Sequence, residues 1–177
     1  MKKLLIVPLL VFLVSAHVIA SQHDVSLIQL NRERVMIIQA NIPDSILGST
    51  MREYYTEIDT FIREYGYEPG PAFARYLGHH DWYTTVQVGF YISEQFPYSG
   101  QGYIYSTYLP GGLTATTVHT GPYPYLDQAY AAIEWWMDNY GYYSVSAPWE
   151  VYIDDPTIVP ESEVRTQIFW PCSPIAP

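Results

Sequence analysis

The second half of this sequence repeats the first, and that self-similarity constrains the fold more than any other feature. Tyr65-Gly66-Tyr67 matches Tyr140-Gly141-Tyr142 as two helix ends. Phe73-Ala74-Arg75-Tyr76 falls on Trp149-Glu150-Val151-Tyr152, and Val86-Gln87-Val88-Gly89-Phe90 falls on Thr166-Gln167-Ile168-Phe169-Trp170. Each half reads as strand, helix, strand, strand, and self-similarity at this period signals a duplicated unit. The expected class is α+β. Two βαββ units pair into one antiparallel-rich sheet with both helices on one face, and the other face is left as a ligand cleft between the repeats. Ala74 and Glu150 are equivalent positions, so one carboxylate breaks the symmetry. A functional site explains that asymmetry, and so does drift.

The elements follow from periodicity. Arg34 to Ala40 reads as the first strand, and Asn41-Ile42-Pro43-Asp44 as a helix start with Asn41 as the cap. Leu47, Met51, Tyr54, Ile58, Phe61, Ile62 and Tyr65 recur at three- and four-residue spacing and form one apolar helix face, which Gly66 ends. Phe73–Leu77 and Thr84–Ile92 read as strands joined by Gly78-His79-His80-Asp81. After a Pro-, Ser- and Gly-rich linker, Tyr103–Tyr108 and Leu113–His119 are β-rich, separated by Leu109-Pro110-Gly111-Gly112. Gly121-Pro122-Tyr123-Pro124 opens the second helix, whose apolar face is Leu126, Ala129, Tyr130, Ile133, Met137 and Tyr140. A strand around Glu150 and another over Val164–Trp170 complete the second half. The domain is expected over 32–172, as repeats 32–94 and 103–172, with a polar lead-in at 21–31 and a tail at 173–177.

Residues 1–20 read as an export signal. Met1-Lys2-Lys3 is followed by an apolar run from Leu4 to Val14 and a small-residue site ending at Ala20. Cleavage after Ala20 makes the protein periplasmic or secreted. The alternative is an uncleaved membrane tether through residues 4–20. Both lysines lie in this segment, so the rest carries six arginines against 18 acids, a formal charge of 6 − 18 = −12. Such a surface repels phosphate backbones, and no nucleic-acid partner is expected. Cys172 is the sole cysteine, which excludes an intrachain disulfide.

Alternation along a strand puts Glu150 and Tyr152 on one face and Trp149 and Val151 on the other. With the apolar pair on the core, an acid beside an aromatic ring suits a flat organic cation through charge and cation–π attraction. The alternative is a solvated carboxylate on an open sheet. Tyr76 lies on the same side as Tyr152, and both are candidate walls. Phe90 and Trp170 occupy matching positions as cleft rims or core caps. Tyr123 either orients a ligand or staples the helix start. His79-His80-Asp81 offers adjacent histidines that point apart and no third ligand at a useful spacing, so no metal is expected. No haem-attachment motif accompanies these histidines or His119, no nucleophile elbow is present, and no cofactor is expected.

The runs L-P-G-G at Leu109–Gly112, V-H-T-G-P-Y at Val118–Tyr123, W-E-V-Y-I-D-D-P at Trp149–Pro156 and R-T-Q-I-F-W-P at Arg165–Pro171 resemble the GyrI-like small-molecule-binding family. This is the effector-binding domain of bacterial multidrug-responsive regulators. The resemblance covers roughly Arg32 to Cys172. It implies a duplicated βαββ fold with a cleft between repeats, and a strand glutamate, here Glu150, facing cationic or electrophilic aromatic ligands. Some members are described as hydrolases of cyclopropane-bearing alkylators, and the related SOUL proteins bind haem. The lead-in His23–Asn31 is too brief for a helix-turn-helix domain, so neither transcription regulation nor gyrase inhibition is expected to carry over. Three readings follow. The first is an exported binding protein for amphipathic or aromatic cations. The second is a hydrolase with Glu150 as base and Tyr123 or Tyr152 positioning water or substrate. The third is a structural envelope protein whose Glu150 is capped by Arg75 or Arg165 in a filled cleft.

Overall fold

The computed structural model describes residues 23–176; the export-signal segment lies outside them. Ten strands and two helices follow in the order β1 (Ser26–Leu30), β2 (Glu33–Pro43), α1 (Leu47–Glu64), β3 (Ala72–His79), β4 (Tyr83–Tyr91), β5 (Gly100–Gln101), β6 (Ile104–Leu109), β7 (Gly112–Thr120), α2 (Leu126–Tyr140), β8 (Tyr142–Ser144), β9 (Trp149–Tyr152) and β10 (Arg165–Pro174). Several boundaries differ from the sequence reading. Asn41 and Pro43 belong to β2, where the Asn41 amide oxygen accepts from Thr85 Oγ1 at 2.9 Å across the ladder. The helix starts later, after a 3-10 turn at Asp44–Ile46. Strand pairing has overridden the capping signal. The lead-in is also structured, since β1 pairs with β7, and the expected tail extends β10 to Pro174.

The strand order β1-β7-β10-β9-β3-β4-β2-β6-β5 places the repeats back to back, with β9 against β3 at the centre. One row of directly paired residues crosses six strands: Ile38, Val88, Ala74, Glu150, Ile168, Thr117. Ala74 and Glu150 are therefore equivalent positions and also direct cross-strand partners, astride the pseudo-twofold axis. Side chains in such a row share a face. On that face α1 buries Met51, Ile58, Phe61 and Ile62 against Met36, Ile38, Val86 and Val88. On the same face α2 buries Leu126, Ala129, Ile133 and Met137 against Ala115, Ile168 and Cys172. Each of the buried Leu, Ile, Val, Phe and Met side chains among them stabilises the fold by about 1.5–3 kcal/mol.

The opposite face is not the expected cleft. Val35, Ile37, Phe73, Leu109, Trp149 and Val151 close it as a second apolar core, leaving only a pocket of about 290 Å³. Trp149 is 1% exposed, stacks on Phe169 at 5.4 Å and donates its indole N–H to Tyr91 Oη at 3.1 Å. Connectivity explains the closure. β1 sits at one end of the strand order and β2 near the other, yet only Asn31 and Arg32 join them. Three Cα steps span at most about 11 Å, so the sheet curls until its ends meet. The register is continuous through the junction, with Leu30 opposite Gly112 and Glu33 opposite Leu109. Each repeat thus lends its leading strand to the other: β1 to β7, and β6 to β2.

The two links cross where the L-P-G-G run lies. A Cβ on Gly111 would stand 2.8 Å from Arg32 N and 2.9 Å from Asn31 C, both backbone atoms that cannot swing aside. Gly111→Ala should lower stability by about 1–3 kcal/mol through this overpacking. A urea titration should show the loss as a reduced midpoint at unchanged slope. An unchanged midpoint would show that the links do not cross so closely.

Candidate functional site

Glu150 stands at the centre of the helix-bearing face, 5% exposed, between the two helices. Its row neighbours are Ala74 and Ile168, so the paired strands offer it no polar side chain alongside. Two tyrosine hydroxyls supply it instead. Tyr130, on the inner face of α2, donates to Oε1 at 2.9 Å, and Tyr152, two residues along β9, donates to Oε2 at 3.0 Å. The matched position in the first repeat is built differently. Tyr55 on α1 packs edge-on against Phe90 at 5.7 Å, as Tyr130 packs against Trp170 at 5.8 Å. With Ala74 in place of a carboxylate, the Tyr55 hydroxyl donates to the Phe73 carbonyl at 2.8 Å.

A cavity of about 940 Å³ opens over this centre. Tyr55, Tyr76, Phe90, Tyr123 and Tyr152 supply aromatic walls, Glu150 lies among them, and Gly48, Met51 and Arg52 add the start of α1. The segment Ile153–Pro156 completes the mouth. Tyr123 meets Tyr152 edge-on at 5.7 Å, and Tyr55 meets Tyr152 at 6.3 Å. Of the residues anticipated from sequence, Glu150, Tyr152, Tyr76, Phe90 and Tyr123 therefore converge here. Trp170 does not line the cavity. It occupies the position matching Phe90, across the axis, where its indole N–H donates to Ser144 Oγ at 2.9 Å. Tyr55 and Tyr130 were missed as site residues. Their signal was the matched helix position, four residues after Met51 in one repeat and after Leu126 in the other.

Among the described residues no cationic side chain pairs with Glu150. Arg75 turns to Ser146 Oγ at 2.6 Å and the Ala147 carbonyl at 3.3 Å, and Arg165 is held by Asp154 at 2.8 and 2.9 Å. Neither caps the carboxylate, and the cleft is not filled. Burial pushes the Glu150 carboxyl above the ordinary glutamate value, while the hydrogen bonds from Tyr130 and Tyr152 pull it part of the way back. The same burial, reinforced by the Glu150 charge, pushes Tyr76, Tyr130 and Tyr152 well above the ordinary phenol value, so they remain neutral donors. Burying a carboxylate costs several kcal/mol even after relaxation. A hydrogen bond to a charged group returns about 1.5–3 kcal/mol. The carboxyl group sits in an aromatic chamber with no cationic side chain paired to it among the described residues. His79, by contrast, belongs to the β3–β4 hairpin, 3.2 Å from Thr84 Oγ1, and His80 stacks on Tyr83 at 4.4 Å, outside the cavity lining.

A model of the GyrI-like small-molecule-binding domain matches residues 23–173. The chain belongs to the GyrI-like family. No curated protein matches it in sequence. Among solved structures, the EcmrR C-terminal domain superposes with a TM-score of 0.71 at 20% identity, over 87% of this chain and 99% of that one. EcmrR in its DNA complex gives 0.74 at 20% identity over 86% of this chain, which spans only 58% of that longer protein. SAV2435 bound to tetraphenylphosphonium gives 0.54 at 14% identity, over 85% of this chain and 94% of that one. At these identities the likeness establishes the fold. The match from residue 23 also agrees with β1 being part of the GyrI-like domain.

The raised Glu150 value fixes a sign. The folded GyrI-like domain holds this proton more tightly than the unfolded chain does. The associated stability is therefore fully present below the unfolded glutamate value, about 4.3. It falls as pH rises toward the folded value and is level above it. Urea midpoints of the native protein, measured relative to Glu150→Gln, should decline across that interval. A difference constant with pH would mean that the carboxyl is not shifted upward.

Proposed function

We propose that this GyrI-like domain binds bulky aromatic organic cations, and that the protein acts as an exported sequestering protein outside the cytoplasm. The observation that carries the ligand reading is a buried carboxylate, satisfied only by neutral hydroxyls, in a tyrosine-walled cavity of about 940 Å³. A cavity of this size accommodates a drug-sized ligand. An incoming cation favours the ionised form of Glu150, which burial disfavours, and the rings of Tyr55, Tyr76 and Tyr152 add stacking and cation–π attraction of about 0.5–2 kcal/mol each. Tetraphenylphosphonium on SAV2435 is a ligand of this chemistry on the same fold. The export half of the reading rests on the charged start, apolar run and small-residue site of residues 1–20. Recovery of the full-length precursor, still carrying residues 1–20, from the cytoplasmic fraction alone would remove it.

Calorimetric titration with tetraphenylphosphonium and with neutral triphenylphosphine oxide tests the ligand reading. The cation should bind saturably and the neutral compound at least tenfold more weakly. Glu150→Gln should weaken the cation by tenfold or more, about 1.4 kcal/mol. Cation affinity should also rise with pH as Glu150 loses its proton and then level off, and this dependence should vanish in Glu150→Gln. Binding that ignores the variant would overturn the reading. Glu150-dependent turnover of a strained electrophile would replace it with the hydrolase.

A further inference from the structure

The two helices present unequal residues to the cavity, although their registers correspond. Met51 and Leu126 are matched buried positions, Tyr55 and Tyr130 make the matched edge-on contacts, and Gly66 and Gly141 follow the matched helix ends. Counted back along the same register, Gly48 in α1 falls on Tyr123 in the 3-10 turn that precedes α2, and both line the cavity. Tyr123 fills its side with a ring against Tyr152. The long β9–β10 connection adds Ile153 to Pro156 to the lining, whereas the tip of the short β3–β4 hairpin contributes nothing.

Gly48 has no counterpart to that ring. It lies in the first turn of α1 with an ordinary helical backbone, and a Cβ built on it would find no atom within 4 Å. Glycine is a poor choice inside a helix, and here neither a positive φ nor crowding requires it. What glycine provides is a gap in the wall, one helical turn before Arg52 at the rim.

We infer that Gly48 determines which ligands this chain accepts: the cavity selects branched or multi-ring cations, one substituent of which passes through the opening that Gly48 leaves beside α1. The inference rests on the cavity being the ligand site. Cations small enough to sit wholly over Glu150 do not use the opening.

A graded series, Gly48→Ala, Gly48→Leu and Gly48→Tyr, tests this with two probes, tetraphenylphosphonium and phenyltrimethylammonium, by calorimetry. Tetraphenylphosphonium affinity should stay within about threefold in Gly48→Ala and fall at least tenfold by Gly48→Tyr. Phenyltrimethylammonium should stay within about threefold throughout. Because the space beyond Gly48 is open, the far-ultraviolet circular dichroism of the variants should match the native protein, and their melting should be no lower, Gly48→Ala rising with the better helix propensity. The intermediate Leu variant keeps the trend readable if Tyr perturbs the fold. Equal loss for both probes, or no loss for either, overturns the role of Gly48 while leaving Glu150 as the cation site. Absence of any binding by the native protein overturns both, and the two failures are thereby distinct.

Discussion

The reciprocal loan of leading strands is the constraint on which the remaining architecture depends. A βαββ unit alone has an apolar helix-bearing face and an apolar reverse face, and it cannot cover both. By giving β1 to the second repeat and β6 to the first, the chain curls its sheet and seals Phe73, Trp149, Val35 and Leu109 inside. That closure leaves the helix-bearing face as the place for a chamber. It also brings β3 and β9 together at the centre, where Ala74 and Glu150 meet. The tight link at Gly111 is the local condition for this topology, since the two connections pass within backbone contact.

Against that frame the site is a compromise between burial and charge. A carboxylate with apolar row neighbours tends to protonate, and a cationic partner would hold it ionised but would also occupy the chamber. Tyrosine hydroxyls do neither fully. They stabilise the anion by less than a guanidinium would, and they leave the chamber open. Arg75 and Arg165 are engaged elsewhere, Arg75 by the Ser146 hydroxyl and the Ala147 carbonyl and Arg165 by Asp154. The carboxylate therefore keeps an unspent attraction for a positive ligand.

Much of this was legible in the sequence because duplication aligns two independent readings of one pattern. The matches of Ala74 with Glu150 and of Phe90 with Trp170 hold in the observed register, and five anticipated residues meet in the cavity. Alternation told correctly that Glu150 and Tyr152 share a face and that Trp149 and Val151 oppose them. It could not tell which face the helices cover, because both faces of β9 carry large side chains. The chamber was accordingly placed on the wrong side. The start of α1 was misread because Asn41 and Pro43 carry a capping pattern that long-range pairing with β4 overrides. Trp170 matches Phe90 by symmetry, but the chamber is not symmetric. Tyr130 looked like one more apolar helix residue, since nothing local marks a hydroxyl whose partner lies twenty residues away.

The pairing of Ala74 with Glu150 on the axis bears on how such a protein can come to exist. Two identical chains of half this length, exchanging leading strands in the same way, would place the same residue at both central positions. Such a homodimer has two choices: no carboxylate, or two carboxylates directly opposite each other in adjacent strands, where like charges repel. A lone charge on a twofold axis is forbidden to a symmetric assembly. Fusing the halves into one chain lifts the prohibition, because each central position can then mutate by itself. A single anion at the heart of a symmetric shell is thus a property that the covalently joined repeat can have and a homodimer of identical halves cannot.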